Sequence, residues 1–270
     1  MKLLNIQITA ECDLRCPWCI EHSFLRETSG VITQQAFERL MLHIKATPYS
    51  SYAIQGGEAL LYTDETFSII DAIKQEQPDA HILLNTNATH LTEETVVKLK
   101  DRDVSVTISL EAEGYKGIKH LVNKALEPEK VITNINALNT LTIRSVNTTI
   151  TYFAQGVLAL HAVFPRARIE SVLDLNKLST ITSKDMHCIK ENIEYLKSRT
   201  HDLKWLSMPR AFNGGCKDEN YKYFFLTNEI QDQCPLTEKA KDGCTAYITA
   251  MGQDTYNEYR KIIQEMGICH

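Results

Sequence analysis

The chain is 270 residues long with a formal net charge of -5 at pH 7, long enough for one sizeable core and a small appendage. No block of five or more basic residues gives the electrostatic footprint of a nucleic-acid binder, and no apolar run is long enough to cross a bilayer. Its eight cysteines follow a start without a secretory apolar segment. The expected setting is therefore the reducing cytoplasm, with thiols in metal or redox chemistry, and with small molecules or peptides as partners in place of nucleic acid or membrane.

Leu3 to Thr9 alternates apolar and polar side chains and predicts a first strand. Directly after it comes Cys12-Asp13-Leu14-Arg15-Cys16-Pro17-Trp18-Cys19, three thiols close enough in sequence to converge on one soft metal centre. A structural zinc or an iron-sulfur cube normally takes four ligands, so one position is open. A zinc knuckle completed by His22, just past Cys19, is the alternative.

A helix from Thr33 to Ala46 carries Phe37, Leu40, Met41 and Ile44 at three-four spacing, with Thr33 as its cap. Ser51 to Gln55 predicts the second strand, which runs into Gly56-Gly57-Glu58. Glycines there let the backbone approach a ligand, and the Glu58 carboxylate suits an ammonium; an ordinary strand-to-helix turn is the alternative. The alternation repeats through a helix at Asp64 to Gln75, capped by Thr63 or Asp64, a strand at Ala80 to Asn85 ending in Thr86-Asn87, and a helix at Thr92 to Lys100. A strand from Val104 to Ser109, a helix from Glu129 to Leu141 and a strand from Arg144 to Thr151 follow. The last predicted units are a helix at Gly156 to Phe164, a strand at Arg168 to Leu173 and a helix at Ser183 to Ser198. Strands alternating with helical patterns predict parallel βα units, six in all, and ligand chemistry in such folds sits at the C-terminal strand ends.

The cysteine spacing, the aromatic Trp18 just before the third cysteine, and Gly56-Gly57-Glu58 after the next strand together resemble the radical S-adenosylmethionine (radical SAM) superfamily. The resemblance covers residues 1 to about 175. It implies an α/β fold, the partial (β/α)6 barrel of that family, over residues 1–200. It also implies that Cys12, Cys16 and Cys19 bind three irons of a 4Fe-4S cluster whose fourth iron is chelated by SAM. Trp18, Gly56, Gly57 and Glu58 would then lie at the cofactor, the Gly-Gly-Glu segment lining its methionine end. Ser109-Leu110-Glu111-Ala112 stands where the family often has Ser-Leu-Asp-Gly, which makes Ser109 and Glu111 ribose ligands by resemblance although two positions depart. Asn147 falls on a strand that passes near the adenosine in the family.

After His201 the pattern changes. Gly214-Gly215-Cys216 precedes two strand-like runs, Tyr223 to Leu226 and Ile230 to Gln233, with Cys234-Pro235 behind them; a hairpin would bring Cys216 and Cys234 together. Cys244 follows, and Cys269 lies beyond a helix predicted at Thr255 to Met266. Residues 201–270 resemble the SPASM or twitch extensions that hold an auxiliary 4Fe-4S cluster, here on Cys216, Cys234, Cys244 and Cys269. Glu229 replaces the glycine usual in that hairpin, and the later close cysteine pair is absent. Buried free thiols are the alternative, and Cys188, inside a predicted helix, reads as core. Arg144, Arg210 and His187 are polar enough to touch substrate, although solvated surface positions explain them as well.

The resemblance implies an oxidoreductase or maturase that cleaves SAM reductively to a 5'-deoxyadenosyl radical. Electrons would come from a reductant such as flavodoxin or ferredoxin. The first expected substrate is a ribosomal peptide or protein, modified by cross-linking, oxidation or epimerisation. Dehydrogenation of a small-molecule alcohol is the second, and a non-catalytic iron-sulfur or zinc protein is the reading from another class.

Overall fold

A computed structural model describes residues 2–16, 19, 30–110, 127–147, 150–173, 180–200, 203, 206–207, 221–224, 230–231 and 253–265. In chain order the elements are β1 (Leu3–Gln7), α1 (Gln34–Ala46), β2 (Ser51–Gln55), α2 (Thr63–Glu76), β3 (His81–Thr86), α3 (Glu93–Asp101), β4 (Ser105–Ser109), α4 (Pro128–Ala137), β5 (Leu141–Asn147), α5 (Phe153–Val163), β6 (Arg168–Leu173), α6 (Ser183–Arg199), β7 (Leu206–Ser207), β8 (Tyr221–Phe224), β9 (Ile230–Gln231) and α7 (Gln253–Glu265). By contacts the chain divides into two compact units: one takes in the described residues of 1–108, 133–140 and 217–235, the other those of 109–132, 141–216 and 236–270.

In the first unit β1 pairs in parallel with β2, β2 with β3 and β3 with β4. Alternation decides the faces: Leu4, Ile6, Tyr52, Ile54, Ile82 and Leu84 are fully buried, as are Leu40 and Ile44 of α1, Ile69, Ile70 and Ile73 of α2 and Leu99 of α3. Each such side chain contributes about 1.5–3 kcal/mol relative to exposure. The other face of the same strands carries Asn5, Gln7, Gln55 and Asn85, with Gln7 in register beside Gln55. Side chains of Thr33 and Thr92 cap α1 and α3 by accepting from Ala36 N and Thr95 N, as Ser/Thr at an N-cap should. The expected cap of α2 is corrected. Thr63 begins the helix, its hydroxyl donates to Leu60 O at 2.9 Å, and the side-chain cap moves upstream to Glu58, which accepts from Leu60 N at the head of a 3-10 turn, Ala59–Tyr62.

The described part of the predicted hairpin joins this unit. Phe224 pairs antiparallel with Ile230, and β8 also lies parallel beside β1, Leu3 opposite Tyr221. That second pairing joins residues far apart in sequence, and nothing in the local pattern announces it.

In the second unit β5, β6 and β7 are parallel neighbours. β5 starts three residues before the predicted Arg144 and ends at Asn147; Ile150–Tyr152 is a 3-10 turn instead of strand. The reason is burial and register: Ile143 is fully buried and faces Ile169. α4 correspondingly stops short of Leu141, where Leu138 N turns back to Ile135 O at 3.2 Å. α5 begins ahead of Gly156 because the buried Asn192 of α6 accepts from Ala154 N. α6 opens with a reciprocal cap, Thr182 accepting from Asp185 N while the Asp185 carboxylate accepts from Thr182 N at 2.8 Å. Thr182→Ala should cost about 1 kcal/mol, read from the denaturation midpoint; no change would mean the helix end is held by packing alone.

Candidate functional site

The loop after β1 carries Cys12, Cys16 and Cys19, each of intermediate burial and outside any disulfide. Cys19 N donates to Cys16 O at 3.1 Å. Two N–H groups are directed at the Cys12 sulfur, Leu14 N at 3.4 Å and Asn87 Nδ2 at 3.7 Å. Burial pushes the Cys12 thiol up; the Leu14 N–H opposes this, and the negative charges of Asp13, Glu58 and Cys19 add to it. Among the described residues no three His, Cys, Asp or Glu side chains close on a site for a single metal ion; a four-iron cube spreads its sulfur ligands more widely than one ion does. Three cysteine sulfurs on one loop are the donor type such a cluster takes, and N–H groups aimed at a ligand sulfur are among the features that tune it, so the residues present fit that group.

Gly56 and Gly57 are explained by the chain's own backbone. A Cβ on Gly57 would lie 2.2 Å from Glu11 O and 2.7 Å from Ala10 O, and one on Gly56 would lie 2.7 Å from Thr9 O. The close approach allows Gly57 N to donate to Thr9 O at 2.8 Å and Glu58 N to Glu11 O at 2.7 Å. The end of β2 is thus pressed against the segment that leads into the cysteines.

Glu58, 1% exposed, ties this point to β3. Its Oε1 accepts from Leu60 N at 2.9 Å and from the Thr86 hydroxyl at 2.6 Å, and Oε2 accepts from Asn87 N at 2.6 Å. Burial pushes its carboxyl up, against the three hydrogen bonds and with help from the Asp13 charge. Asn87 in turn reaches the cysteine loop, its Nδ2 donating to Asp13 Oδ1 at 2.9 Å. Asp13 lies 3.5 Å from His90 Nε2. Burial works to raise the Asp13 carboxyl, but hydrogen bonds with Thr89 and Asn87 and the His90 charge outweigh it and hold it below the usual aspartate value.

The far end of the loop is closed by a second set. Thr9 Oγ1 donates to Gly30 O at 2.7 Å, Gly30 N donates to Glu11 Oε1 at 2.8 Å, and the Tyr62 hydroxyl donates to Glu11 Oε2 at 2.6 Å. The Tyr62 bond, more than the Gly30 one, lowers the Glu11 carboxyl below its ordinary value.

The structure brings Cys12, Gly56, Gly57 and Glu58 into one neighbourhood. Ser109 is exposed at the end of β4, and Asn147 is the last residue of β5 with its side chain outside the described set. Trp18, Glu111, Cys216, Cys234, Cys244 and Cys269 lie outside the described residues. Sequence reasoning does not single out Glu11, Asp13, Tyr62, Thr86, Asn87, Thr89 and His90 as site residues. The available signal is the polar Thr86-Asn87 pair at a C-terminal strand end, where open α/β folds bind ligands.

The family model for the Radical SAM superfamily matches residues 6–155, more than half of the chain, and the chain belongs to that superfamily, whose members are enzymes. A GTP 3',8-cyclase of Synechococcus sp. (strain CC9902) is 30% identical over 114 residues, 41% of this chain and 32% of that protein. The chain thus spans about a third or less of the curated relatives it matches, 32% and 26% of their lengths. Among solved structures, native anSMEcpe with bound AdoMet superposes at a TM-score of 0.67, covering 97% of this chain and 82% of that one at 16% identity. Streptococcus suis SuiB bound to precursor peptide SuiA gives 0.62 over 96% and 66% at 15% identity. The fold class is the one expected, α/β of the radical SAM partial-barrel type. The family implies SAM and a 4Fe-4S cluster, and no helix among the described residues is long and apolar enough to cross a membrane.

Proposed function

We propose that this chain is a SAM-cleaving radical enzyme acting on a peptide or protein side chain. Cys12, Cys16 and Cys19 would hold the cluster, and the observation that carries the proposal is this trio of thiols on the loop after β1, with two N–H donors on the first sulfur. When bound, the cluster and SAM supply reductive cleavage of the sulfonium C–S bond and a radical that abstracts hydrogen from substrate. The chain's own part is to fix geometry. Glu58 locks the ends of β2 and β3 together, and Glu11 with Tyr62 and Gly30 closes the loop stem. By the family resemblance Trp18, Gly56, Gly57, Glu58, Ser109, Glu111 and Asn147 would be the further residues at the cofactor.

A peptide substrate is supported by the fold neighbours, which include SuiB with its precursor peptide and anSMEcpe with the Kp18Cys peptide. It is also supported by Asn5, Gln7, Gln55 and Asn85 on one face of β1 to β3. Carboxamides both donate and accept, as a peptide backbone does, and Asn85 Oδ1 is buried without a hydrogen-bond partner among the described residues. Cys216, Cys234, Cys244 and Cys269 would hold an auxiliary cluster that accepts an electron in net oxidation. Flavodoxin or ferredoxin suits as reductant, and the cytoplasm as compartment.

Anaerobic reconstitution with iron and sulfide tests this. About four irons per chain are expected for the first cluster and about eight if both load, and dithionite-reduced protein should convert SAM to 5'-deoxyadenosine. Cys16→Ala should abolish that conversion, whereas Cys234→Ala should leave slow, uncoupled cleavage. Zinc in place of iron, or iron without SAM cleavage, would overturn the proposal.

A further inference from the structure

We infer that Asn87 is a positioning residue that sets the reduction potential of the cluster on Cys12 by holding an N–H donor on its sulfur, an inference that rests on the cluster reading of Cys12, Cys16 and Cys19. Asn87 stands just beyond β3, 75 residues from Cys12 in sequence, and is 8% exposed. A buried carboxamide must satisfy both ends, and here every valence is assigned. Its Oδ1 accepts from Thr89 N at 2.9 Å and from Thr89 Oγ1 at 2.7 Å. A backbone N–H can only donate, so the oxygen must face Thr89 and the amide flip ambiguity is removed. The NH2 group therefore faces the cysteine loop, where one hydrogen goes to Asp13 Oδ1 at 2.9 Å and the other to Cys12 Sγ at 3.7 Å.

The frame around it is equally determined. Asn87 N donates to Glu58 Oε2 at 2.6 Å, so the residue is held by backbone as well as side chain. Asp13, which takes the other amide hydrogen, lies 3.5 Å from His90 Nε2 through its second oxygen. Hydrogen bonds to cluster sulfurs are among the factors that set iron-sulfur potentials. The reduced cluster carries one more negative charge, partly on its ligand sulfurs, and an N–H dipole favours that state over the oxidised one. Leu14 N is the second donor on the same sulfur, but it belongs to the cysteine loop itself. Asn87 is the one of the two that depends on how β2 and β3 are joined, so the potential is linked to the same frame that Gly57 and Glu58 build.

The test uses the anaerobically reconstituted full chain, without SAM, and reads the midpoint potential by EPR during a dithionite titration. Asn87→Leu removes the donor while keeping the branching at Cγ and without adding charge. It should keep about four irons in the first site and shift the one-electron equilibrium about tenfold toward the oxidised cluster, a change of about 59 mV to more negative potential. Thr89→Val, which leaves the donor in place, should move it less. A second measurement does not depend on any variant folding: in the unaltered, reduced protein labelled with 15N-asparagine, pulsed EPR should show hyperfine coupling from a side-chain amide nitrogen. Equal potentials in iron-loaded Asn87→Leu and unaltered protein, or no such coupling, would overturn the inference alone. An unaltered chain that takes up no iron would overturn the cluster reading and the inference with it.

Discussion

Gly57→Ala should destabilise the unit built on β1 to β4 by about 3 kcal/mol or more and, on the proposed assignment of Cys12, Cys16 and Cys19 to a cluster, lower iron uptake on reconstitution. The added methyl would sit 2.2 Å from Glu11 O and 2.7 Å from Ala10 O. Both are backbone atoms, which cannot swing aside as the tip of a long side chain can. Relief requires the loop to withdraw, and withdrawal breaks Gly57 N to Thr9 O and Glu58 N to Glu11 O, each worth about 1 kcal/mol. Gly30→Ala is the comparison. Gly30 has φ +96°, but a methyl added there would meet nothing within 4 Å, so it should lose only the backbone term of about 1–2 kcal/mol. Denaturation midpoints and iron content after reconstitution separate the two; equal, mild losses would refute the close-approach account of Gly57.

The second large effect is expected at Glu58. A glutamine there can present its oxygen to Leu60 N and the Thr86 hydroxyl, but its NH2 then meets Asn87 N, two donors face to face. One orphaned buried donor costs about 1–3 kcal/mol. The change also carries a pH signature. Burial raises the Glu58 carboxyl above its ordinary 4.5, so the folded state holds this proton more tightly than the unfolded state does. The stability this contributes is complete below the ordinary value and is lost as pH rises through the raised native one. Stability of Glu58→Gln should lack that slope. A variant with the unaltered slope and the unaltered midpoint at neutral pH would show that the three hydrogen bonds do not matter.

Local pattern makes much of this molecule legible. Thr33 and Thr92 cap helices because a hydroxyl before an amphipathic run has little else to do, and Leu4, Ile6, Ile54 and Leu84 are buried as alternation requires. Alternation alone misplaces β5, because Leu141 to Asn147 alternates as readily as Arg144 to Thr151, and only the pairing with Arg168 to Leu173 chooses between them. The three thiols and Gly-Gly-Glu are legible as a motif. What Gly57 touches is not, since its neighbours Ala10 and Glu11 come from another strand end. Asn87, Thr86 and Tyr62 act through hydrogen bonds spanning 28 to 75 residues, and such bonds leave no period in the sequence.

The seat of β8 beside β1 has a consequence for how the chain is made. Leu3 leaves the ribosome well before its partner Tyr221, which is more than two hundred residues behind it. Until that late segment arrives, one margin of β1 has unpaired amide and carbonyl groups, an open template for another nascent chain. Synthesis that halts before Tyr221 would therefore release a product prone to edge-to-edge aggregation.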